Sequence, residues 1–219
     1  MEGKKAENSQ FYVYQCINPS CRLRFTLSGA EKAVRECPRC RSAIAEQLKT
    51  FSPKNIPSVP KSSFPAIELL LDNLRSTWNV GAIFRSADGA GVKKIHLCGI
   101  SPTPDNPQVA KTALGAEKSV NWEYHPDGLV TAQGVKSAGY HLIALEGGEN
   151  ALPIQTVFPL QDRRPVLLVS GNEVTGIDPD ILDLCETVVY LPMFGSKNSL
   201  NVAIATGIAL YLLRLSHLP

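Results

Sequence analysis

VVYLPMFGSKNSLNVAIATGIALYLL, residues 188–213, reads in three parts. VVYLP is a β-rich apolar run that stops at proline. MFGSKNS is a loop of glycine, serine and asparagine. From about residue 200 to 215 the chain is apolar at helical length, opened by Ser199-Leu200-Asn201. Strand, polar loop and helix in direct succession are the unit of an α/β protein. The apolar run contains Thr206 and Gly207 and is too short to span a bilayer.

Upstream, the same grammar repeats. AIELLLD, KKIHLCG, GYHLIALE and PVLLVS are short, nearly continuous apolar runs of the kind buried in a parallel sheet. Between them lie helical segments near 79–91, 106–115, 128–138 and 178–184. The expectation is an α/β sandwich, a parallel sheet with helices on both faces, over residues 66–219. Residues 50–65, TFSPKNIPSVPKSSFP, hold four prolines and four serines without periodicity and read as a linker.

Residues 1–49 are of another kind. Cys16-x4-Cys21 is followed by Cys37-Pro-Arg-Cys40, two pairs on short turns. Such spacing suits four thiolates around one structural Zn²⁺, as in a zinc ribbon; an iron site or two disulfides are the competing readings. Cys98 and Cys185 sit in apolar surroundings and read as buried free thiols, which fits a reducing compartment. The polar start MEGKKAENSQ lacks the shape of a signal peptide, so the expected location is the cytoplasm, without a membrane partner.

Charge divides along the same boundary. Residues 1–64 carry eleven Lys/Arg against five Asp/Glu, and residues 65–219 carry eleven against fifteen, so +6 meets −4. Arg22, Arg24, Arg35, Arg39 and Arg41 surround the cysteines, with Phe11, Tyr12, Tyr14 and Phe25 nearby. That mixture suits phosphate contacts and base stacking on RNA, with protein docking as the alternative.

Familiar enzyme signatures are missing: there is no G-x-G-x-x-G after a strand, no P-loop and no G-x-S-x-G. Polar residues instead collect where strands end. Asn79 and Arg85 lie in NVGAIFR, an arginine among Val80, Ala82, Ile83 and Phe84. Gly171-Asn172-Glu173 follows PVLLVS, and Ser199 and Asn201 precede the last helix. Singly, Asn79 and Ser199 could be helix caps, Asn201 a first-turn residue and Glu173 an exposed loop acid.

Together, N-x-G-a-i-x-R at residues 79–85, G-x-E at 171–173 and l-P-M…S-L-N-v at 191–193 and 199–202 resemble the SpoU/TrmH family of RNA ribose 2′-O-methyltransferases, in the SPOUT superfamily. The resemblance covers about residues 67–215. It implies a C-terminal trefoil knot, a homodimer and S-adenosylmethionine bound in the knot. It also implies a site at the subunit interface acting on tRNA or rRNA. Gly171, Leu191 and Leu200 would contact the cofactor, with Met193 and the 145–148 turn as weaker candidates. Asn79, Arg85, Glu173, Ser199 and Asn201 would form the catalytic and substrate-holding set. Methylation of a base nitrogen, or a non-catalytic RNA-binding protein keeping the fold, are the other readings.

Overall fold

The computed structural model describes residues 11–28, 35–51, 65–160 and 163–216. The chain divides into two compact units, Met1–Val59 and Pro60–Pro219.

The small unit is a three-stranded antiparallel sheet in which β1 (Phe11–Cys16) lies between β2 (Arg24–Ser28) and β3 (Ile44–Phe51). β3 runs two residues into the stretch expected as linker, and residues 52–64 of that stretch lie outside the described residues. Tyr12 and Tyr14 are buried, and Phe25 stacks on Tyr14 with ring centroids 5.8 Å apart. These rings are therefore the unit's core, which corrects the expectation that they stand free to stack on bases. So small a sheet has little else to bury. The side chain of Phe11 lies outside the described residues. Arg22, Arg24, Arg35, Arg39 and Arg41 are all exposed.

The large unit is built on seven parallel strands. β4 (Ile67–Asp72), β5 (Lys94–Cys98), β6 (Asn121–His125), β7 (His141–Leu145), β8 (Leu152–Pro153), β9 (Val166–Ser170) and β10 (Thr187–Tyr190) are ordered β6-β5-β4-β9-β7-β10-β8. β4 and β9 are buried at every residue because both faces are covered. The two-residue period sends Ile67, Leu69 and Leu71 into one core, with Ile83, Phe84, Ala209 and Leu210. It sends Leu70 into the other, with Leu142, Leu167, Ala132 and Ile181. The first core is roofed by α1 (Thr77–Ala90), α2 (Pro107–Ala113) and α6 (Val202–Leu215). The second is roofed by α3 (Gly128–Ser137) and α5 (Pro179–Leu184), while a short α4 (Ile154–Val157) follows β8. Among the described residues no helix is long and apolar enough to cross a membrane.

Three details fix the helices that carry the motifs. Ser76, not Asn79, caps α1: its Oγ accepts from the Asn79 N–H at 3.3 Å. Gly81 lets α2 approach α1, because a Cβ there would lie 2.6 Å from the Val109 carbonyl and from the Thr112 Cβ. At the far end, Arg214 of α6 donates to the carbonyls of Ala90 (2.8 Å), Gly91 (3.1 Å) and Pro65 (3.2 Å). A cation on the open carbonyls of a helix C-terminus satisfies both charge and hydrogen bonds. Between these ends, the buried Ser170 and Thr206 hydroxyls meet at 2.9 Å and tie β9 to α6. Cys98 is fully buried, whereas Cys185 is only half-buried.

Candidate functional site

The C-terminal ends of β4, β9 and β10 open onto one region, as expected of an open parallel sheet. Asn201 caps α6 through Oδ1, which accepts from the N–H groups of Ala203 (2.9 Å) and Ile204 (3.4 Å). The cap is therefore Asn201 rather than Ser199. Its free Nδ2 donates to Asn79 Oδ1 at 2.9 Å, and Asn79 Nδ2 donates to Glu173 Oε1 at 2.8 Å. Glu173 also accepts from the backbone N–H of Ser76 (3.2 Å) and, through Oε2, of Arg75 (2.9 Å). One chain of hydrogen bonds thus joins the first turn of α1, the loop after β9 and the start of α6. These are the three segments singled out from the sequence.

That arrangement decides what Glu173 can do. Burial pushes its carboxyl upward, but the Arg75 N–H, the Asn79 amide and the Ser76 N–H outweigh it and hold the group below the usual carboxylate range. Hydrogen bonds to the ionised form favour that form. Both oxygens are committed to holding the first turn of α1, so the carboxylate acts as a brace. Its contribution to stability is fully present above the unfolded value of about 4.3 and is lost as pH falls through the lower folded value. The stability difference between the wild type and Glu173→Gln should therefore stay flat above pH ~5 and shrink below it, read by denaturant unfolding across pH.

Beside the chain of hydrogen bonds lies an open cleft of about 700 Å³. Gly171, Leu191 and Leu200 line it, as do Met193, Ser199 and the turn at 145–147. Gly171 has a packing reason to be glycine. A Cβ there would lie 2.5 Å from the Gly176 carbonyl oxygen and closer still to the Ile177 nitrogen. Gly171→Ala must push the 171–177 loop outward, and is expected to cost about 1–3 kcal/mol, measured by chemical denaturation.

Arg85 stands apart. It lies on the exposed side of α1, opposite Val80, Ile83, Phe84 and Ala87, and makes no hydrogen bond or ion pair among the described residues. Ser199 is likewise exposed in the loop before α6. Of the predicted set, Asn79, Glu173 and Asn201 are brought into contact with one another, while Arg85 and Ser199 are left available to a ligand.

Sequence reading missed two supports. Asn172 Oδ1 accepts from the N–H groups of Val174 (2.9 Å) and Thr175 (3.2 Å), and its Nδ2 donates to the Asn73 carbonyl at 2.7 Å. An asparagine that folds a turn on itself is a recognisable loop-opening signal. Glu146 Oε2 accepts from the Ile177 N–H at 3.1 Å and steadies the other side of the loop. Nothing in the sequence marks Glu146 for that task.

In the small unit, the Sγ atoms of Cys16, Cys21, Cys37 and Cys40 all lie within 4.8 Å of one another. Cys16 and Cys40 are 3.5 Å apart and Cys21 and Cys37 are 3.8 Å apart. A disulfide needs about 2.05 Å. Tetrahedral ligation at about 2.3 Å per Zn–S bond puts the sulfurs roughly 3.8 Å apart. The residue after each pair, Arg22 and Arg41, has a left-handed backbone with φ of 49° and 59°. Both turns therefore curl in the same way, and all four thiols face a single point.

The SpoU rRNA Methylase family model matches residues 66–211. A tRNA (guanosine(18)-2′-O)-methyltransferase of Thermus thermophilus is 28% identical over 158 residues, 72% of this chain and 79% of that protein. A 23S rRNA (guanosine(2553)-2′-O)-methyltransferase of Bacillus subtilis is 30% identical over 182 residues, covering 78% and 69%. Among solved structures, the SpoU methyltransferase AviRb from Streptomyces viridochromogenes, in complex with the cofactor AdoMet, superposes with a TM-score of 0.59. It is 25% identical, with 79% of this chain and 68% of that one covered.

Proposed function

The chain belongs to the SpoU rRNA Methylase family, and from that premise we propose that it transfers a methyl group from S-adenosylmethionine to a ribose 2′-hydroxyl of a structured RNA, tRNA or rRNA. The observation that carries this reading is the hydrogen-bond chain Asn201–Asn79–Glu173, which gathers all three motifs beside the cleft.

The cleft fits the cofactor. Its volume is in the range of small-molecule sites, and Gly171, Leu191 and Leu200 line its wall. When bound, S-adenosylmethionine supplies a methyl group already activated as a sulfonium. The protein must orient the ribose oxygen in line and accommodate the proton that it loses. Glu173 is a poor base, with both oxygens already accepting hydrogen bonds. A guanidinium is not deprotonated in proteins, so Arg85 serves by its charge. It clamps the neighbouring phosphate or stabilises the developing alkoxide, while a phosphate oxygen or water takes the proton. Ser199 is exposed at the cleft wall, which suits contact with the substrate.

The remaining parts of the reading rest on their own observations. β9 returns between β4 and β7, and α6 then folds back onto α1, a chain path that suits a C-terminal trefoil knot. Ile204, Ile208, Tyr211 and Leu215 form an exposed apolar stripe along α6, which suits burial against a second copy in a homodimer. The four cysteines suit structural zinc in a ribbon whose exposed arginines grip RNA phosphates. The six cysteines, none of them disulfide-bonded, suit a reducing compartment such as the cytoplasm.

Incubating the protein with tRNA or rRNA and labelled S-adenosylmethionine, then digesting to nucleosides, should yield 2′-O-methylribose. Label found on a base would refute the ribose assignment, and no transfer to any RNA would refute the enzyme.

A further inference from the structure

Far along the sheet, at its β6 edge, the second core gives way to a polar cluster. Parallel pairing sets His96 beside Glu123 and Cys98 beside His125, and the two-residue period puts Lys94, His96, Glu123 and His125 on one face. Glu68 of β4 joins them behind His96.

The contacts within the cluster are ordered. His96 is buried between two partners: its Nε2 lies 2.9 Å from Glu68 Oε2, and its Nδ1 lies 3.1 Å from His125 Nε2. The other oxygen of Glu68 accepts from the Tyr140 hydroxyl at 2.7 Å and pairs with Lys93 at 3.5 Å. A carboxylate so held is ionised and accepts the Nε2 proton of His96. In the neutral imidazole that a metal ligand requires, Nδ1 is then the nitrogen that turns its lone pair toward β6. Glu123 Oε2 stands 3.7 Å from His125 Nε2 and pairs with the Lys94 ammonium. The ligand atoms of His96, Glu123 and His125 all lie within 4.8 Å of one another. A cleft of about 360 Å³, lined by Glu68, Lys94 and Tyr140, reaches His96.

We propose that His96, Glu123 and His125 form a second metal site, taking a divalent transition ion of the zinc type through two imidazoles and one carboxylate. The separation supports it, since two nitrogens on a tetrahedral ion at about 2.0–2.1 Å each stand roughly 3.3 Å apart. The backing also supports it: a carboxylate that fixes the distal nitrogen of a ligating histidine sets its tautomer and raises its basicity, and Glu68 is already in that place. Imidazole and carboxylate donors favour Zn²⁺ and its neighbours over Mg²⁺ or Ca²⁺. Lys94 occupies the carboxylate until an ion displaces it. Binding would fasten β6, an edge strand, to β5, and would leave a coordination position open to solvent. The site lies at the β6 edge, five strands away from β10, and it needs neither the cofactor cleft nor the cysteines.

The test uses the full chain and Co²⁺ or Zn²⁺ alone. Calorimetry should find an equivalent of metal that weakens at least tenfold in His125→Gln and in Glu123→Gln, both at partly exposed positions that tolerate change. The same equivalent should persist in Cys37→Ser, and Co²⁺ in it should lack the thiolate charge-transfer absorption of a cysteine site. Binding that is unchanged in His125→Gln and Glu123→Gln, or that vanishes in Cys37→Ser, overturns the proposal. A cysteine cluster that fails to take metal changes only the total and leaves the His125-dependent equivalent as the readout.

Discussion

Arg85→Ala should lower kcat by about 10²–10³-fold while shifting unfolding free energy by no more than about 0.5 kcal/mol. The two halves of that expectation come from one fact: the side chain is exposed and makes no ion pair or hydrogen bond among the described residues. Removing it leaves no partner unsatisfied and no cavity. The folded state loses almost nothing, and cofactor affinity should be unchanged. A large stability loss would mean that the arginine is structural. Arg85→Lys separates the chemical roles. Lysine keeps the charge and loses the planar fork, so an electrostatic role predicts substantial recovery over alanine with the alkaline limb of the pH–rate profile unmoved. If the lysine variant instead recovered activity only with a shifted alkaline limb, proton abstraction by residue 85 would be the better account.

The second large effect belongs to the small unit. On the proposal that the four cysteines hold zinc, Cys37→Ser or treatment with a chelator should unfold the three-stranded sheet and leave the parallel-sheet unit folded. Cys37 is buried at 1% exposure, and both turns close on the thiols through the Cys37 N–H to Ser42 carbonyl and Cys16 N–H to Leu23 carbonyl bonds. Structural zinc contributes about 10–16 kcal/mol to the folding of such modules, more than three short strands can replace. Circular dichroism should show partial loss of β signal. RNA binding should weaken, and the slope of log K against log salt should fall by about 4 if each of the five exposed arginines releases one counterion. An unaltered salt slope would argue that this unit docks protein instead.

Much of this was legible in the residues. Apolar runs such as AIELLLD and PVLLVS marked strands because a doubly covered sheet leaves them no polar face. β6, NWEYH, was missed for the converse reason: as an edge strand carrying Glu123 and His125 it is mostly exposed and shows no apolar run. Asn79, Glu173 and Asn201 were legible as a set, but not their division of labour, which depends on contacts between residues 94 and 122 positions apart. The aromatics of the small unit were misread because sequence shows that a ring is near arginines, and cannot show that Tyr12 and Tyr14 join Val13 and two cysteines as the few side chains so small a sheet buries.

The Arg214 fork has a consequence for how the domain is made. It joins the carbonyls of Pro65 and Ala90 to a side chain 149 and 124 residues later. During synthesis the parallel sheet keeps its entrance unfastened until α6 has left the ribosome. Residue 214 is then a latch that shuts last. A chain cut just before it would keep every strand of the sheet and still lack the bonds that fasten Pro65 and the end of α1 to α6.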